Sequence, residues 1–384
     1  MFIKDLILTN FRNYEKEKLQ FSPGICIVQG ANGQGKSNLL EAIYCLCFAR
    51  SFKNYKDSDL VKWKSPFYFI QGTVVLQNHP YKMEVGFEAE KRRKVVKVNG
   101  KVDKGFSLEA NFPIVFFVPE DLEMIRRGPE ERRRFIDREI SQISSLYRDY
   151  FNRYNRIIAQ KNKILKEYIH RKELIEMLHV WNKQIVHFGS RIIKIRNEMI
   201  SVWNRLASRN YALLFQERQL LSIAYDNCLG IKEKTTDIEE IESTFQNEIV
   251  KIEEEEMRRG FSMLGPHRDD LLFLLDGREA RRFASHGQQR SAIISLKAAQ
   301  IQFFNNKKEK PLFILDDLFS ELDEFRMEQC FSLFEGAEQV FITITRKDNY
   351  LEPFLEKFTD FSFFNVTEGK VMELKENGKS RTFC

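Results

Sequence analysis

The sequence predicts an α/β fold interrupted by a helical insertion, and three observations predict it. Strand-like runs punctuated by Gly, Asn and Pro fill residues 1 to 120 and return after residue 260. Between them the apolar spacing turns helical, and proline almost disappears after Pro129. A glycine-rich loop at 30–37 and an acidic pair at 316–317 each close a short apolar run suited to a buried parallel strand. The chain therefore divides into an N-terminal part of an α/β domain (1–120), a helical insertion (121–260) and the C-terminal part of the same domain (261–384).

In the first part the strand candidates are "DLILTNF", "GICIVQG", "FYFIQGTVVLQ", "YKMEVGFEAE", "KVVKVNGK" and "FPIVFFV". The one clear helix there is "KSNLLEAIYCLCFA". The insertion reads as helix throughout. Beyond it come the strand "LLFLLDGRE", a helix over 288–304, the buried strand "PLFILDD" and the strand-like "AEQVFITIT". No internal repeat is visible, and the only low-complexity run is "EEEE" at 253–256.

At 384 residues the chain exceeds the size at which one core usually keeps growing, so one large domain or two are expected, and 43% apolar residues suffice for a real core. Six cysteines without a C-x-x-C pair and six scattered histidines signal neither a zinc site nor a disulfide framework, so the thiols read as reduced and buried. The N-terminus alternates like a strand and carries an early Lys-Asp pair, unlike a signal peptide. No apolar run approaches the ~20 residues that span a bilayer. These features point to a cytoplasmic protein with no membrane partner.

The net charge of +6 permits a nucleic-acid partner without requiring one. It also hides a segregation. Residues 146–218 hold fifteen Lys/Arg against six Asp/Glu, whereas 231–259 hold five against ten. Two readings are open: solvated faces, or basic helices that contact phosphates together with "RRGPEERRR" (126–134). "KRRK" (91–94), in a hairpin-like stretch, is a second basic candidate.

"GANGQGKS" fits the spacing G-x-x-x-x-G-K-[ST], after an apolar strand and before a helix. Gly30, Ala31, Asn32, Gly33, Gln34 and Gly35 would turn backbone N–H groups toward phosphates, with Asn38 just beyond. Lys36 would meet the β- and γ-phosphates of ATP, and the Ser37 hydroxyl would ligate Mg²⁺. Such a loop needs an acid for the metal. Asp316 would supply it, and Asp317 would orient or deprotonate the attacking water. Taken alone, the pair also suits an acidic turn.

"ASHGQQRS" (284–291) contains Ser285 and Gln288 at the spacing of a capping box ahead of an apolar-periodic helix. A capped N-terminus is also an anion site, and Gly287 would leave room for a phosphate. "SELD" (320–323), alone merely a helix start, follows directly after the acidic pair.

Phosphate loop, Ser-x-Gly-Gln, apolar strand with two acids and S-E-L-D, in this order, resemble the head of ABC-type and SMC-type ATPases. More closely, "NFRNY" (10–14), "GANGQGKSNLLEAIY", "PEDLEMI" (119–125), "RRRFID" (132–137), "GPHRDDL" (265–271), "SHGQQR" and "DDLFSELD" together resemble the RecF family of DNA replication and repair proteins. That resemblance implies an ABC/SMC-type head with Walker A at 30–37, Walker B at 312–317, an inserted helical lobe and no long coiled coil. It implies ATP sandwiched between two protomers, with Ser285, Gly287 and Gln288 of one completing the γ-phosphate contacts of the other. Glu120 in "PEDL" would sit at the switch loop, and Ser320, Glu321 and Asp323 would form the D-loop at the dimer seam. The partners implied are double-stranded, gapped or single-stranded DNA, a second copy bound through ATP, the mediators RecO and RecR, and RecA. The location implied is cytoplasmic and nucleoid-associated.

Two departures from the broader ATPase pattern stand out. Asp317 occupies a position where many relatives have Glu, and "FITITR" lacks the switch histidine of transporters, leaving Thr343 or Thr345 near the γ-phosphate. Hydrolysis is accordingly expected to be slow and DNA-stimulated, with ATP acting mainly as a dimer clamp. Competing readings are a transport ATPase subunit, an SMC-like chromosome organiser and a non-hydrolysing ATP-binding DNA scaffold. The first lacks a use for "GPHRDDL", and the second needs heptads far longer than this insertion.

Overall fold

The computed structural model describes residues 1–53, 55–103, 112–167, 171–215, 219–232, 235, 237–317, 322–345 and 361–374. The chain forms two compact units, one of Met1–Asp121 with Lys297–Cys384 and one of Leu122–Leu296. Each has its own buried interior.

The first unit begins with β1 (Phe2–Phe11), β2 (Tyr14–Gln20), β3 (Gly24–Gln29) and α1 (Lys36–Phe48). A single turn, α2 (Asp57–Leu60), leads to β4 (Phe67–Leu76), β5 (His79–Glu88), β6 (Arg93–Val98), β7 (Lys101–Val102) and β8 (Ile114–Phe117). Six of these strands form an antiparallel sheet in the order β2-β1-β4-β5-β6-β7. The charged edge strand β2, "YEKEKLQ", buries only Tyr14 and Leu19, so it is absent from the strand candidates of the sequence and depends on its pairing with β1. Helix α1 lies between this sheet and a second one, touching β1, β4, β5 and β13, and is buried almost all round. That explains why its apolar residues show no single face: a helix packed on two sides needs no polar stripe.

The second unit opens with α3 (Pro119–Glu123), which straddles the boundary, then α4 (Pro129–Ile143), α5 (Ser145–Glu167) and the 45-residue α6 (Arg171–Phe215). At ~1.5 Å per residue α6 is about 68 Å long. Next come β9 (Leu221–Asp226), α7 (Ile238–Lys251), α8 (Glu253–Arg259), β10 (Asp270–Leu275), β11 (Arg278–Glu279), α9 (Ala280–Phe283) and α10 (His286–Asn306), inside which the boundary falls. Strand β9 corrects the reading of 121–260 as helix alone. Its partner β10 lies some fifty residues onward, and only that pairing, Leu221↔Leu275 to Asp226↔Asp270, makes a strand of it. Residues 261–296, expected with the α/β domain, group instead with the helices, because β10 pairs with β9 and α4 packs on β10.

The chain returns to the first unit with β12 (Leu312–Leu315), α11 (Glu324–Ser332), β13 (Gln339–Ile344), β14 (Phe361–Thr367) and β15 (Lys370–Leu374). They join β3 and β8 in a sheet of order β15-β14-β3-β13-β12-β8, parallel except for the β14–β15 hairpin. β12 and β13 are buried at every position, which is why they read as apolar runs rather than alternating ones.

The second unit is built around buried charge. Arg196 on α6 is 1% exposed and donates to Asp137 (2.6 Å), Tyr147 Oη (2.9 Å), the Pro266 carbonyl (2.7 Å) and Asp269 (3.3 Å). Burial disfavours its cation, but Asp137 and the other acidic groups outweigh this and hold the guanidinium above its ordinary range. Asp269 accepts further bonds from Tyr225 Oη and from the Cys228 N–H at 2.8 Å. Lys161 and Glu256, both fully buried, pair at 2.6 Å. Thus "GPHRDDL" runs through this network, and Gly265 shows why it starts with glycine: at φ 132°, a Cβ would lie 2.1 Å from Tyr154 Oη.

The same network also holds arginines of the basic stretch 126–134. Arg132 grips Asp270 with two bonds of 2.7 Å, Arg133 donates to the Asp269 carbonyl at 2.8 Å, and Arg134 pairs with Glu130 and Glu131. Arg126 donates to Gln289 at 2.8 Å. Most arginines of 126–134 therefore have intramolecular partners. Part of the basic excess of 146–218 is likewise met by the acidic segment: Arg191 pairs with Glu242 and Lys161 with Glu256. Among the described residues no helix is long and apolar enough to cross a membrane.

Replacing Arg196 with Met should cost about 3–5 kcal/mol, since Asp137 and Asp269 would lose the cation between them. Urea unfolding measures this, and a loss below ~1 kcal/mol would show the network to be dispensable. His267 supplies a pH test. Its Nε2 donates to the Ser262 carbonyl (3.2 Å), so Nδ1 accepts from Tyr154 (2.7 Å), and burial lowers its pKa from 6.5 to about 4. The unfolded chain then binds a proton that the folded chain refuses. Stability is full above pH 6.5 and should fall by up to about 1.4 kcal/mol per pH unit toward pH 4. His267→Gln should flatten this slope between pH 6.5 and 5.

Candidate nucleotide-binding site

The loop between β3 and α1 has the backbone that a phosphate cradle requires. Gly33 (φ 79°) and Gly35 (φ 119°) adopt left-handed conformations, and α1 starts at Lys36 with no side chain capping its N-terminus. Successive N–H groups in such a turn, followed by a helix N-terminus, form an anion-binding concavity. Lys36 Nζ donates to the carbonyls of Gly30 (2.8 Å) and Ala31 (3.0 Å), folded back over its own loop. Burial pulls its pKa below the ordinary lysine range, opposed by Asp317 and Asp316.

Residues of "NFRNY" brace this loop. Asn13 Nδ2 donates to the Gln34 carbonyl (2.8 Å), Asn38 Nδ2 donates to Asn13 Oδ1 (2.8 Å), and Tyr14 Oη donates to the Gly35 carbonyl (2.8 Å). A Cβ at position 35 would lie 2.5 Å from Asn13, so glycine is required by contact as well as by φ. From the other side, the β14–β15 turn clasps Gln34: the Glu368 N–H donates to its Oε1 (2.6 Å) and the Gly369 N–H to its carbonyl (3.1 Å). Arg12 forks onto Glu41 of α1 at 2.7 and 3.2 Å.

The acidic pair lies at the carboxyl end of the same parallel sheet. In the sheet order β13 separates β3 from β12, and its Thr343 stands between the two. Ser37 Oγ donates to Asp316 Oδ1 at 2.8 Å, Thr343 Oγ1 donates to the same oxygen at 3.0 Å, and Lys53 Nζ lies 3.9 Å from Oδ2. Burial pushes the Asp316 carboxyl above its ordinary range, while Ser37, Lys53 and Thr343 pull it down. Thr343 Oγ1 in turn accepts from the Asp317 N–H at 2.7 Å. Asp317 leaves the strand at φ 48°, a strained value for a residue with a Cβ. Ser37 and Asp316, 279 positions apart, thus meet as a hydroxyl and carboxylate pair suited to a hard divalent cation. This donor set would suit Mg²⁺, with Ser37 and Asp316 as the residues that would hold it.

The other candidates are placed as follows. Ser285 and Gln288 form the reciprocal capping box at the start of α10: the Gln288 N–H donates to Ser285 Oγ (3.2 Å) and the Ser285 N–H to Gln288 Oε1 (2.8 Å). Gly287 lies in the first turn of that helix. Gln219 accepts from Gln288 Nε2 at 2.6 Å, and Gln289 donates to the carbonyls of Ala280 and Ala284, so the helix start is rigid. Glu120 is exposed, whereas the next residue, Asp121, is buried with its carboxylate 3.1 Å from Lys297 Nζ. Thr345 is half-buried, and it is Thr343 that contacts the acids. Asp323 caps α11 by accepting from the Arg326 N–H at 2.9 Å, while Ser320 and Glu321 lie outside the described residues. Asn13, Asp121 and Gln289 lie in "NFRNY", "PEDLEMI" and "SHGQQR" without having been assigned roles, and Lys53 and Gln219 carried no sequence signal.

Fold and site together define a P-loop head of the ABC/SMC type. The family described as the RecF/RecN/SMC N terminal domain matches residues 2–363. The DNA replication and repair protein RecF of Lachnoclostridium phytofermentans is 35% identical over 97% of this chain and 99% of its own. That of Symbiobacterium thermophilum is 35% identical over 99% of this chain and 100% of its own. The chain belongs to the RecF family of DNA replication and repair proteins. A solved structure of the recombination mediator protein RecF with ATP, in the RecFOR pathway, superposes with a TM-score of 0.86 at 32% identity, covering 97% of this chain and 98% of that one. An SMC head bound to the C-winged helix domain of ScpA, at a TM-score of 0.57 and 16% identity, shares the fold alone.

Lys36→Ala should abolish ATP binding in a fluorescent-nucleotide titration, because the loop's one cation is lost from the phosphate position. Asn13→Ala should weaken binding about tenfold by freeing Gln34, with the α1 fold kept. Equal affinities in wild type and Asn13→Ala would remove the bracing role.

Proposed function

We propose that this chain is an ATP-dependent DNA-binding protein of recombinational repair, in which ATP drives two copies together on DNA near single-strand gaps. The observation that carries this reading is the meeting of Ser37, Asp316 and Thr343 beside a braced phosphate loop. Family membership supplies the DNA-repair context, and the RecF relative's place in a RecFOR pathway supports RecO, RecR and RecA as partners.

In this reading Gly30 to Ser37 and Asn38 bind the nucleotide phosphates, with Lys36 released from its loop carbonyls to the β- and γ-phosphates. Bound Mg²⁺ would neutralise developing charge on the phosphates. Asp316 holds that position through its ion-facing carboxylate, and Asp317 orients the attacking water. Ser285, Gly287 and Gln288 of the second copy would complete the γ-phosphate contacts, which the exposed, rigid capping box at the start of α10 suits. Ser320, Glu321 and Asp323 would line the seam, and Glu120 would relay the nucleotide state.

Hydrolysis would be slow and stimulated by DNA. Asp317 is held by its backbone to Thr343, and a threonine hydroxyl at the switch position brings no positive charge to the transition state. The protein would work in the cytoplasm, at the nucleoid.

Sedimentation with and without ATP and gapped duplex DNA tests the reading. Wild type should dimerise only with ATP. Ser285→Arg should bind ATP as a monomer and fail to dimerise; normal ATP-driven dimers of that variant would reject the sandwich. A DNA-stimulated turnover matching fast motor ATPases would overturn the clamp view.

A further inference from the structure

Trp63 is the most exposed large apolar residue among those described, at 85%, in a fold that buries most of its aromatics. It sits at the tip of a turn in "VKWKS" that is tied down on several sides. The Lys62 N–H donates to the Asn10 carbonyl (2.8 Å), the Arg12 N–H to the Leu60 carbonyl (2.8 Å) and the Ser65 N–H to the Lys62 carbonyl (2.9 Å). Lys64 follows at φ 66°. The indole is thus displayed on a rigid mount, so little backbone freedom is lost when a ligand covers it.

A second turn stands beside it. The Ala89 N–H donates to the Pro66 carbonyl at 2.9 Å, which brings the β5–β6 turn, with Lys91, Arg92 and Arg93 all exposed, next to the Trp63 turn. Of the acidic neighbours, Glu15 pairs with Lys62 (3.1 Å) and Glu88 with Lys91 (2.8 Å), while Glu90 is exposed in the same turn. Lys64, Arg92 and Arg93 have no carboxylate within ion-pair distance among the described residues. The result is an exposed indole with three uncommitted cations, Lys64, Arg92 and Arg93, in the two turns against the single carboxylate of Glu90.

We propose that Trp63 is a stacking platform for an unpaired base of single-stranded DNA, with Lys64, Arg92 and Arg93 on its phosphates. The inference rests on the DNA-binding reading above and names the strand form bound at this place. An aromatic face gains from any unstacked base, whereas a duplex offers only phosphates there, its bases being already stacked. The centre of a protein–protein interface would set the indole among apolar residues with lysine depleted. Here lysines flank it on both sides.

The test uses the full-length protein with ATP and Mg²⁺, titrated into a labelled single strand and a labelled duplex. Trp63→Ala should weaken single-strand binding about tenfold, leave duplex binding unchanged, and keep ATP binding and ATP-dependent dimerisation. Trp63→Tyr should restore most of the loss, because the ring face returns. Arg92→Gln with Arg93→Gln should lower the salt dependence of single-strand binding by about two charges. Unchanged single-strand affinity in Trp63→Ala overturns the platform. Loss of dimerisation with DNA affinity intact overturns it too, marking a protein contact instead. If wild type binds no DNA at all, the DNA-binding reading itself falls, and the two failures are thereby told apart.

Discussion

The Asp316 carboxylate is buried at the end of β12, and the arrangement around it answers the cost of putting it there. An acid that is 2% exposed needs donors, and it takes two hydroxyls, Ser37 from the phosphate loop and Thr343 from the strand between. Those two bonds draw the loop, β13 and β12 into one site. The sheet order does the rest: with β13 flanked by β3 and β12, all three strands end on the same side, where α/β sheets bind their ligands. A divalent cation between Ser37 and Asp316 would replace that hydroxyl contact with a stronger one.

Around this centre the brace matters as much as the cradle. Asn13, Tyr14 and the β14–β15 turn hold carbonyls of the phosphate loop, so its N–H groups stay available for phosphates. Asn13 reaches Gln34 from the β1–β2 turn, which in turn anchors the Trp63 turn through Asn10 and Arg12. The nucleotide loop and the exposed indole therefore hang from the same short segment of backbone.

The helical unit uses part of its charge inside its own fold. Part of the basic excess of 146–218 meets the acidic segment 231–259, in the buried pair Lys161–Glu256 and the half-exposed pair Arg191–Glu242. "RRGPEERRR" is likewise held by Asp270, the Asp269 carbonyl, Gln289 and local glutamates. Buried ion pairs of this kind add little net stability, but removing one partner is costly, so they tie the unit to one arrangement.

Local chemistry alone determined much of this protein. The phosphate loop needs small residues and a lysine ahead of a helix; a doubly buried strand needs an unbroken apolar run; a helix start needs its cap. These requirements act within a few residues, and 30–37, 312–317 and 285–288 state them openly. The interruption of the α/β domain was legible too, because periodicity changes from two to 3.6 along the chain. Tertiary structure alone decided what depends on a distant partner. β2 and β9 are strands because β1 and β10 pair with them, and 261–296 belongs with the helices through that same pairing. Thr343 rather than Thr345 reaches the acids because strand register puts it there, and Asn13 braces Gln34 across a gap that no spacing rule encodes. The difference is physical: a residue's propensity is its own, but a hydrogen-bond partner or a neutralising charge is supplied by whatever the fold brings within about 3 Å.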